Sequence, residues 1–584
     1  MNETDTRHEI MTHEDRSSAL DTAIARLVSQ LPPESGAPEE PDPAGDWAGP
    51  MGHLTAADRM RFRLFGEGPR QAVPETHIHH AIQRWVARTP DACAVEHGGV
   101  TLTYRALNRR ANRLAARLVD LGVRPGDDVA LFAVRGIPLV VGMLAILKAG
   151  AAYVPQDPRI APEAQLRHVL ETTGARVVLT LAEFADTLPV QSGHHVIAVD
   201  TWSRSGAPTT IADAADLAGF DPGVPLLPDH GCYVLFTSGT TGRPNGVRVT
   251  HRNVCNLLLT EPGGLGIQPG WRVGQILNIG FDMASWEILA CLSHGGTLVI
   301  RGADIAETVE RVDVVIATPS VLARVNSDRC RRVKVVAVAG EPCPRPLADR
   351  WASFCTFFNS CGPTEVTIVN TMQRHVVSAP VLSIGRPTPN NTVYVLDEHG
   401  MPCPIGEVGE MWAGGDCVSA GYLKNSALNA ERYAPDPFLG GGRMMFRTRD
   451  LGRWTADGEL EHLGRTDDQV KIRGFRVELD SVSAVLESVA GCEQAVTLKL
   501  DNETLVSFVA PMTVDTQAAR RAVAEALPYY CTPAFVHVLP ELPVTSRGKI
   551  DKQLLADLAR QRRSGLPHLA PGDGVRTVAL ARPA

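Results

Sequence analysis

The chain has 584 residues, 44% of them hydrophobic and 21% charged, with a formal net charge of -8. That composition is globular, with apolar material for more than one core, and the length alone predicts about three or four units. The mild acidity gives no sign of a nucleic-acid surface, which needs clustered Lys and Arg, and obliges any anionic nucleotide to be held by local chemistry.

Met1 to Glu9 is polar, so no secretory leader is expected. Residues 17–31 read as an amphipathic helix, with Leu20, Ile24, Leu27, Val28 and Leu31 on one face and Ser18 with Asp21 as a capping box. This helix either docks a partner or packs on its own domain. Pro32 to Pro50 reads as a Pro/Gly/Glu-rich linker, so residues 1–53 form an extension.

From residue 54 the pattern is α/β. Runs such as Asp128 to Ala133, Ala175 to Leu179 and Val196 to Val199 predict strands, and Ala106 to Leu121 predicts a helix. Such alternation implies a large body of mainly parallel sheets covered by helices. The most apolar stretch, Pro138 to Val154, contains Lys148 and is too short to span a bilayer, so it reads as a buried helix and no membrane partner is expected. Near residue 466 the rhythm changes. Ser481 to Val489 and Ala518 to Leu527 predict helices. Ala495 to Leu500 and Glu503 to Ala510 predict strands joined by a tight Asp501-Asn502 turn. The expected layout is a large subdomain over 54–466, a small α+β subdomain over 467–560 and a tail over 561–584. Twelve cysteines between Cys93 and Cys531 include no C-x-x-C pair and no zinc spacing, which suits reduced thiols in a cytoplasmic protein.

The sharpest chemical signal is Phe236-Thr237-Ser238-Gly239-Thr240-Thr241-Gly242-Arg243-Pro244-Asn245-Gly246, directly after the strand-like run Cys232 to Phe236. Glycines let backbone N–H groups approach a phosphate, and the hydroxyls add donors. It is not a Walker loop. Gly548-Lys549 lacks the upstream Gly and the following Ser or Thr.

Further strings follow in order: Leu102-Thr103-Tyr104, Leu147 to Pro155, Phe281-Asp282 with Trp286-Glu287, Asn359 with Gly362-Pro363-Thr364-Glu365, Gly421-Tyr422-Leu423, Asp450-Leu451, Gly464 to Gly474 and Gly548-Lys549-Ile550-Asp551. Together with the hydroxyl-rich loop these resemble the ANL superfamily of adenylate-forming enzymes, and within it the adenylation domains of nonribosomal peptide synthetases. The resemblance covers roughly residues 54–555. It implies that the chain joins an α-amino acid to AMP at the expense of ATP, releases pyrophosphate, and passes the acyl group to the phosphopantetheine thiol of a separate carrier protein.

The resemblance also implies roles. Thr237, Ser238, Gly239, Thr240, Thr241 and Gly242 would hold the ATP phosphates, with Asn359, Gly362 and Thr364 nearby. Glu365 would place Mg2+, a hard ion suited to carboxylate and phosphate oxygens. Asp450 would accept both ribose hydroxyls, and Arg465 would reach the ribose. Lys549 would bridge the substrate carboxylate and the α-phosphate, where negative charge builds in the transition state. Asp282 would pair with the substrate ammonium, since a buried carboxylate is costly without a cation. Met283, Trp286, Ile316, Ala337, Ala339, Ser360, Ile368 and Val369 would line the side-chain pocket. That lining has no second charge and one hydroxyl, so a mid-sized, mainly apolar amino acid is expected. Asp467 would be the hinge about which the small subdomain swings, and Gly474 would line the thiol's path.

Asn245 stands where the family has Lys, Cys361 where it has an adenine-stacking aromatic, and Arg449 where it has Gly; weaker ATP binding is the expectation. The chain shows no carrier, condensation or thioesterase motif, so a carrier in trans is implied. Ser426 to Phe438 resembles the docking surface for a small MbtH-like helper. Two alternatives stand beside amino-acid activation: an acyl-CoA or aryl-acid ligase of the same fold, against which Asp282 argues, and a degenerate non-catalytic member, for which Asn245 and Cys361 argue.

Overall fold

The computed structural model describes residues 51–202, 226–239, 243–472, 474–544 and 550–564. The helix and linker expected before Met51 and the tail after residue 564 lie outside these residues, as do Thr240, Thr241, Gly242 and Lys549. The chain divides into two compact units. The larger runs to Asp468, and the smaller continues from Gln469, with residues 239–243 grouped with it.

Two sheets dominate the larger unit. In the six-stranded sheet the strands His195–Ala198, Val177–Thr180, Asp128–Phe132, Ala152–Gln156 and Gly231–Thr237 are parallel neighbours in that order, and Asn245–Thr250 closes one edge antiparallel. In the nine-stranded sheet Thr356–Cys361, Val335–Val338, Val314–Ala317, Arg272–Gln275, Thr297–Ile300 and Cys93–His97 run parallel. Antiparallel strands lie at both edges. The central parallel strands Val314–Ala317 and Val335–Val338 are buried along their whole length, as expected when both faces are covered. One continuous apolar cluster joins side chains of both sheets with those of the helices between them.

The helices follow their sequence signals. Tyr104–Asp120 starts at Thr103, whose hydroxyl accepts from the Ala106 N–H at 3.1 Å, and buries Leu107, Ala111, Leu114 and Leu118 on one face. The apolar stretch at 138–154 is not one helix. Ile137–Lys148 is helical, Gly150 turns at φ +85°, and Ala152–Gln156 is a central strand. A helix and a strand buried on all sides share the same apolar composition, and only the glycine separates them.

A five-stranded antiparallel sheet was not foreseen. It contains Asn391–Leu396, Gly409–Gly415, Met444–Trp454, Tyr433–Pro435 and Leu460–Arg465. Two register shifts break its ladders, between Glu410 and Trp412 and between Asp450 and Gly452.

The smaller unit is α+β. The hairpin Gln469–Ile472/Phe475–Glu478 leads into helix Leu479–Glu487. A three-stranded sheet of Gln494–Lys499, Leu505–Ala510 and Phe535–Val538 packs with helices Thr516–Ala526 and Lys552–Ser564. The connection between the first two strands of that sheet spans Leu500 to Thr504, not a two-residue turn. The Leu500 N–H reaches Thr504 O at 2.9 Å, and the Asp501 carboxylate caps the Glu503 N–H at 2.9 Å. The last helix continues to Ser564, beyond the expected end at residue 560.

Candidate active site

Parallel α/β sheets present their loops at the carboxyl ends of the strands, and ligands bind there. The expected pocket residues lie in this region of the nine-stranded sheet. Ile316 and Ala337 are register partners on adjacent strands, Ala339 follows the second of these strands, and Ser360 lies near the end of the next. Met283, Trp286, Ile316, Ala337, Ala339, Ile368 and Val369 all belong to the single large apolar cluster. A Cβ placed on Gly340 would lie 3.8 Å from Met283 Sδ, which sets that thioether against the loop after Val338. Ser360 is buried, and its Oγ has no hydrogen-bond partner among the described residues.

Asp282 opens a single helical turn, Asp282–Ser285, which passes into a π-helical turn at Trp286–Ala290. Such turns are rare and often sit at functional sites. The segment is pinned from both sides. The Trp286 indole donates to Gly263 O at 2.8 Å. The buried Glu287 carboxyl accepts from the N–H groups of Ile276 at 2.9 Å and Leu277 at 3.2 Å. Burial pushes the Glu287 carboxyl up to about 8 against the pull of those two bonds. Beneath the turn, Tyr153 and Tyr233 are direct register partners of the six-stranded sheet with ring centroids 5.7 Å apart. Tyr153 donates to Ser285 Oγ at 2.8 Å, whereas the buried Tyr233 hydroxyl has no hydrogen-bond partner among the described residues. Burial, and after it the negative charge of Asp282, push the Tyr233 phenol well above its ordinary range, so carboxylate and phenol share one environment.

Ile368 and Val369 are set by backbone strain. Thr367 and Ile368 are consecutive left-handed residues at φ +61° and +68°, a conformation that β-branched residues rarely adopt. The turn is locked by Thr367 Oγ1 to Cys417 O at 2.7 Å and by Asn370 N to Cys361 O at 3.0 Å. Gly362 is required where this turn folds back, since a Cβ there would stand 2.6 Å from Val369 Cα. Glu365, on the same loop, is fully buried and accepts from the Tyr422 hydroxyl at 2.7 Å. Asn359 donates through Nδ2 to Ser383 O at 2.6 Å.

The expected nucleoside end forms a tight charge cluster. Arg465 Nη1 bonds Asp450 Oδ1 at 2.5 Å, and its Nε bonds Asp467 Oδ1 at 2.7 Å. Burial opposes ionisation of Asp450, but the His462 hydrogen bond and the Arg465 charge hold its carboxyl below the usual range. The departures from the family pattern have local partners. Asn245 pairs with Thr237 in the sheet and accepts from Asn425 Nδ2 at 3.1 Å. Arg449 is left-handed at φ +62°, which explains why glycine suits the position, and its guanidinium joins Glu431 and Asp467. Ser238 Oγ is buried without a hydrogen-bond partner among the described residues. Gly474 has φ +83° and directly precedes Phe475, which pairs with Ile472, a backbone demand independent of any ligand. Of the expected helper surface, Arg432, Asp436 and Phe438 are buried.

Among the described residues no group of three His, Cys, Asp or Glu side chains is arranged to hold a metal, and no helix is long and apolar enough to cross a membrane.

Comparison with known proteins places the chain in a family. The family model described as AMP-binding enzyme matches residues 82–423. The chain is 44% identical over 520 residues to adenylate-forming reductase 03009 of Coprinopsis cinerea, an alignment covering 87% of this chain and 49% of that protein. The chain thus spans about half the length of that fungal relative. It is 34% identical to novobiocin biosynthesis protein H of Streptomyces niveus, covering 84% of both chains. Among solved structures, the Vibrio cholerae adenylation domain AlmE, in complex with glycyl-adenosine-5'-phosphate, superposes with a TM-score of 0.74 at 23% identity, covering 84% of this chain and 99% of that one.

Proposed function

Because the chain belongs to the AMP-binding enzymes of the ANL adenylate-forming superfamily, we propose that it activates an α-amino acid as its aminoacyl-AMP and passes it to a carrier-protein thiol. In the first half-reaction a substrate carboxylate oxygen attacks the α-phosphorus of ATP. The new O–P bond forms as the bond to the β-phosphate oxygen breaks, and pyrophosphate leaves. Lys549 neutralises charge on the carboxylate and α-phosphate, and the hydroxyl-rich loop from Thr237 to Gly242 holds the phosphates. A Mg2+ carried by the phosphates, with Glu365 as its protein ligand, would neutralise further charge. A single buried carboxylate suits an ion whose other ligands come from the nucleotide. Asp450 and Arg465 take the ribose.

The observation that carries the amino-acid reading is Asp282 at the edge of a buried apolar cluster, above the Tyr153–Tyr233 pair. A carboxylate in that setting suits the ammonium of an amino acid. The apolar lining with the lone Ser360 hydroxyl favours a mid-sized, mainly apolar side chain. Because neighbouring apolar substrates differ by only about 1–3 kcal/mol per methylene, the pocket selects a class more sharply than a member. In the second half-reaction the carrier thiol attacks the acyl carbon and AMP leaves, with the small unit turning about Asp467. A helper protein of the MbtH-like kind would use the exposed part of Ser426–Arg432. Twelve free thiols suit a cytoplasmic setting.

Substrate-dependent pyrophosphate exchange, run with amino, fatty and aryl acids and with and without a helper, tests this reading. Exchange with amino acids supports it. Exchange confined to acids without an amine overturns it. A second reading, favoured by the 44% identity to the fungal reductase, makes this chain the activating portion of a longer protein that reduces its acyl group. Detection of an aldehyde or alcohol product from the native polypeptide would favour that reading.

A further inference from the structure

At the amino-terminal ends of the nine-stranded sheet, away from the candidate site, lies an open groove of about 920 Å³ whose lining includes Asp313, Arg331, Arg332, Lys334, Phe354 and Arg374. The strands Val335–Val338 and Thr356–Cys361, of 4 and 6 residues, separate it from Ala339 and Ser360. At about 3.3 Å per residue that is roughly 13–20 Å. Four of the lining residues are permanent cations, and the one acid among them, Asp313, is buried at the floor.

The cations are held at the rim with their heads toward water. Lys334 Nζ sits 4.3 Å from the Trp271 ring centroid and 3.1 Å from Asp313, and Arg332 reaches the same carboxylate at 3.3 Å. Arg331 stacks on Phe354 at 4.7 Å and pairs with Asp328 at 2.9 Å. Arg374 is exposed. The side chains of Arg331, Arg332 and Lys334 are about half exposed or more, at 60%, 52% and 49%. Asp313 cannot neutralise them all. Burial opposes its ionisation, yet the Arg272 N–H and Lys334 hold its carboxyl below the usual range, so it carries one negative charge among four positive ones.

The complementary charge lies within the same chain. The first 50 residues contain 11 Asp and Glu against 3 Arg, so they carry the whole formal net charge of -8, and the remainder is balanced. The acids nearest the described chain are Glu34, Glu39, Glu40, Asp42 and Asp46, and residues 32–50 contain no Lys or Arg. This stretch ends at Met51, which is buried against the antiparallel sheet with Tyr394 and Leu396. Nineteen residues at about 3.3 Å each give this segment a reach of roughly 60 Å from Met51.

We propose that the acidic segment 32–50 docks in the groove formed by Arg331, Arg332, Lys334 and Arg374. Paired carboxylates on an exposed Arg/Lys rim gain little individually and rely on multiplicity, so the contact is weak, intramolecular and sensitive to salt. It leaves the carboxyl ends of the strands open and therefore leaves adenylation unchanged.

Zero-length carbodiimide cross-linking of the full-length protein, read by peptide mapping, tests this. At low salt Lys334 should be joined to carboxylates of residues 32–50. The yield should fall about tenfold at roughly 0.5 M NaCl, where screening shortens to about 4 Å. It should fall as far in the triple variant R331Q/R332Q/R374Q, whose melting temperature and exchange activity should match the parent. Links elsewhere in the chain without any from Lys334 to 32–50 would overturn the proposal. So would links from Lys334 only to residues 1–31, yields unmoved by salt and by the triple variant, or links found only between differently isotope-labelled copies, which would make a second molecule the occupant.

Discussion

The Arg449 guanidinium lies 3.6 Å from the Asp467 carboxylate while the Arg449 backbone is left-handed at φ +62°. A side chain in that conformation costs about 1–2 kcal/mol, which glycine avoids. The ion pairs to Glu431 and Asp467 offset part of that cost, each by up to about 1 kcal/mol at a surface position. Arg449→Gly should therefore change stability little. Arg449→Ala keeps the strain and loses both pairs, and should be less stable than the glycine variant by about 1 kcal/mol in urea unfolding. Equal stabilities would contradict the strain assigned to this position.

Gly362 tests the loop that sets Ile368 and Val369. A Cβ at Gly362 would meet Val369 Cα at 2.6 Å and Asn370 N at 2.9 Å, both backbone atoms. Gly362→Ala must shift the strained turn and should cost about 1–3 kcal/mol in stability. Because the displaced residues line the candidate pocket, the KM for the acid substrate should rise more than the KM for ATP. Chemical denaturation and exchange kinetics on one preparation read both effects.

A buried imidazole cluster predicts acid sensitivity. His251 is fully buried, its ring centroid is 5.2 Å from that of His77 and 5.5 Å from that of His79, and its Nε2 has no hydrogen-bond partner among the described residues. Burial, and after it the His77 and His80 rings, push His251 down to about 3. In the unfolded chain the ring takes a proton near 6.5. The unfolded state then binds more protons below that value. Stability present at neutral pH is lost as pH falls from about 6.5 toward 3, at up to about 1.4 kcal/mol per pH unit for this ring. Melting temperatures from pH 7 to pH 4 should fall more steeply in the parent than in His251→Gln. Parallel slopes would remove His251 as a cause.

Much of the architecture was legible because it rests on local signals. The hydroxyl-rich loop follows a strand as its composition demands, and the Thr103 cap and the apolar stripe of Tyr104–Asp120 mark a helix unambiguously. The residues expected to line the pocket came from motif resemblance, and the fold gathers the apolar ones into one cluster. What stayed hidden arises from tertiary closure. Thr367 and Ile368 carry no sign of left-handed backbone, because β-branched residues disfavour it and only the bonds to Cys417 and Cys361 impose it. The π turn at Trp286 has no periodicity of its own, and it is held by the Gly263 and Ile276 contacts. The antiparallel sheet from Asn391 to Arg465 has bulged ladders that blur the two-residue alternation.

The central claim is that Asp282 secures the amine of an amino acid, and paired substrates test it most directly. Exchange kinetics of the parent and Asp282→Asn should be measured with the best amino-acid substrate and with its des-amino counterpart. The parent should prefer the amino acid by about 100-fold or more in kcat/KM, the range expected for a desolvated charge pair. The variant should lose most of that preference through the amino acid alone, with the des-amino acid changed little. A preference for the amino acid that survives the substitution intact would contradict the account.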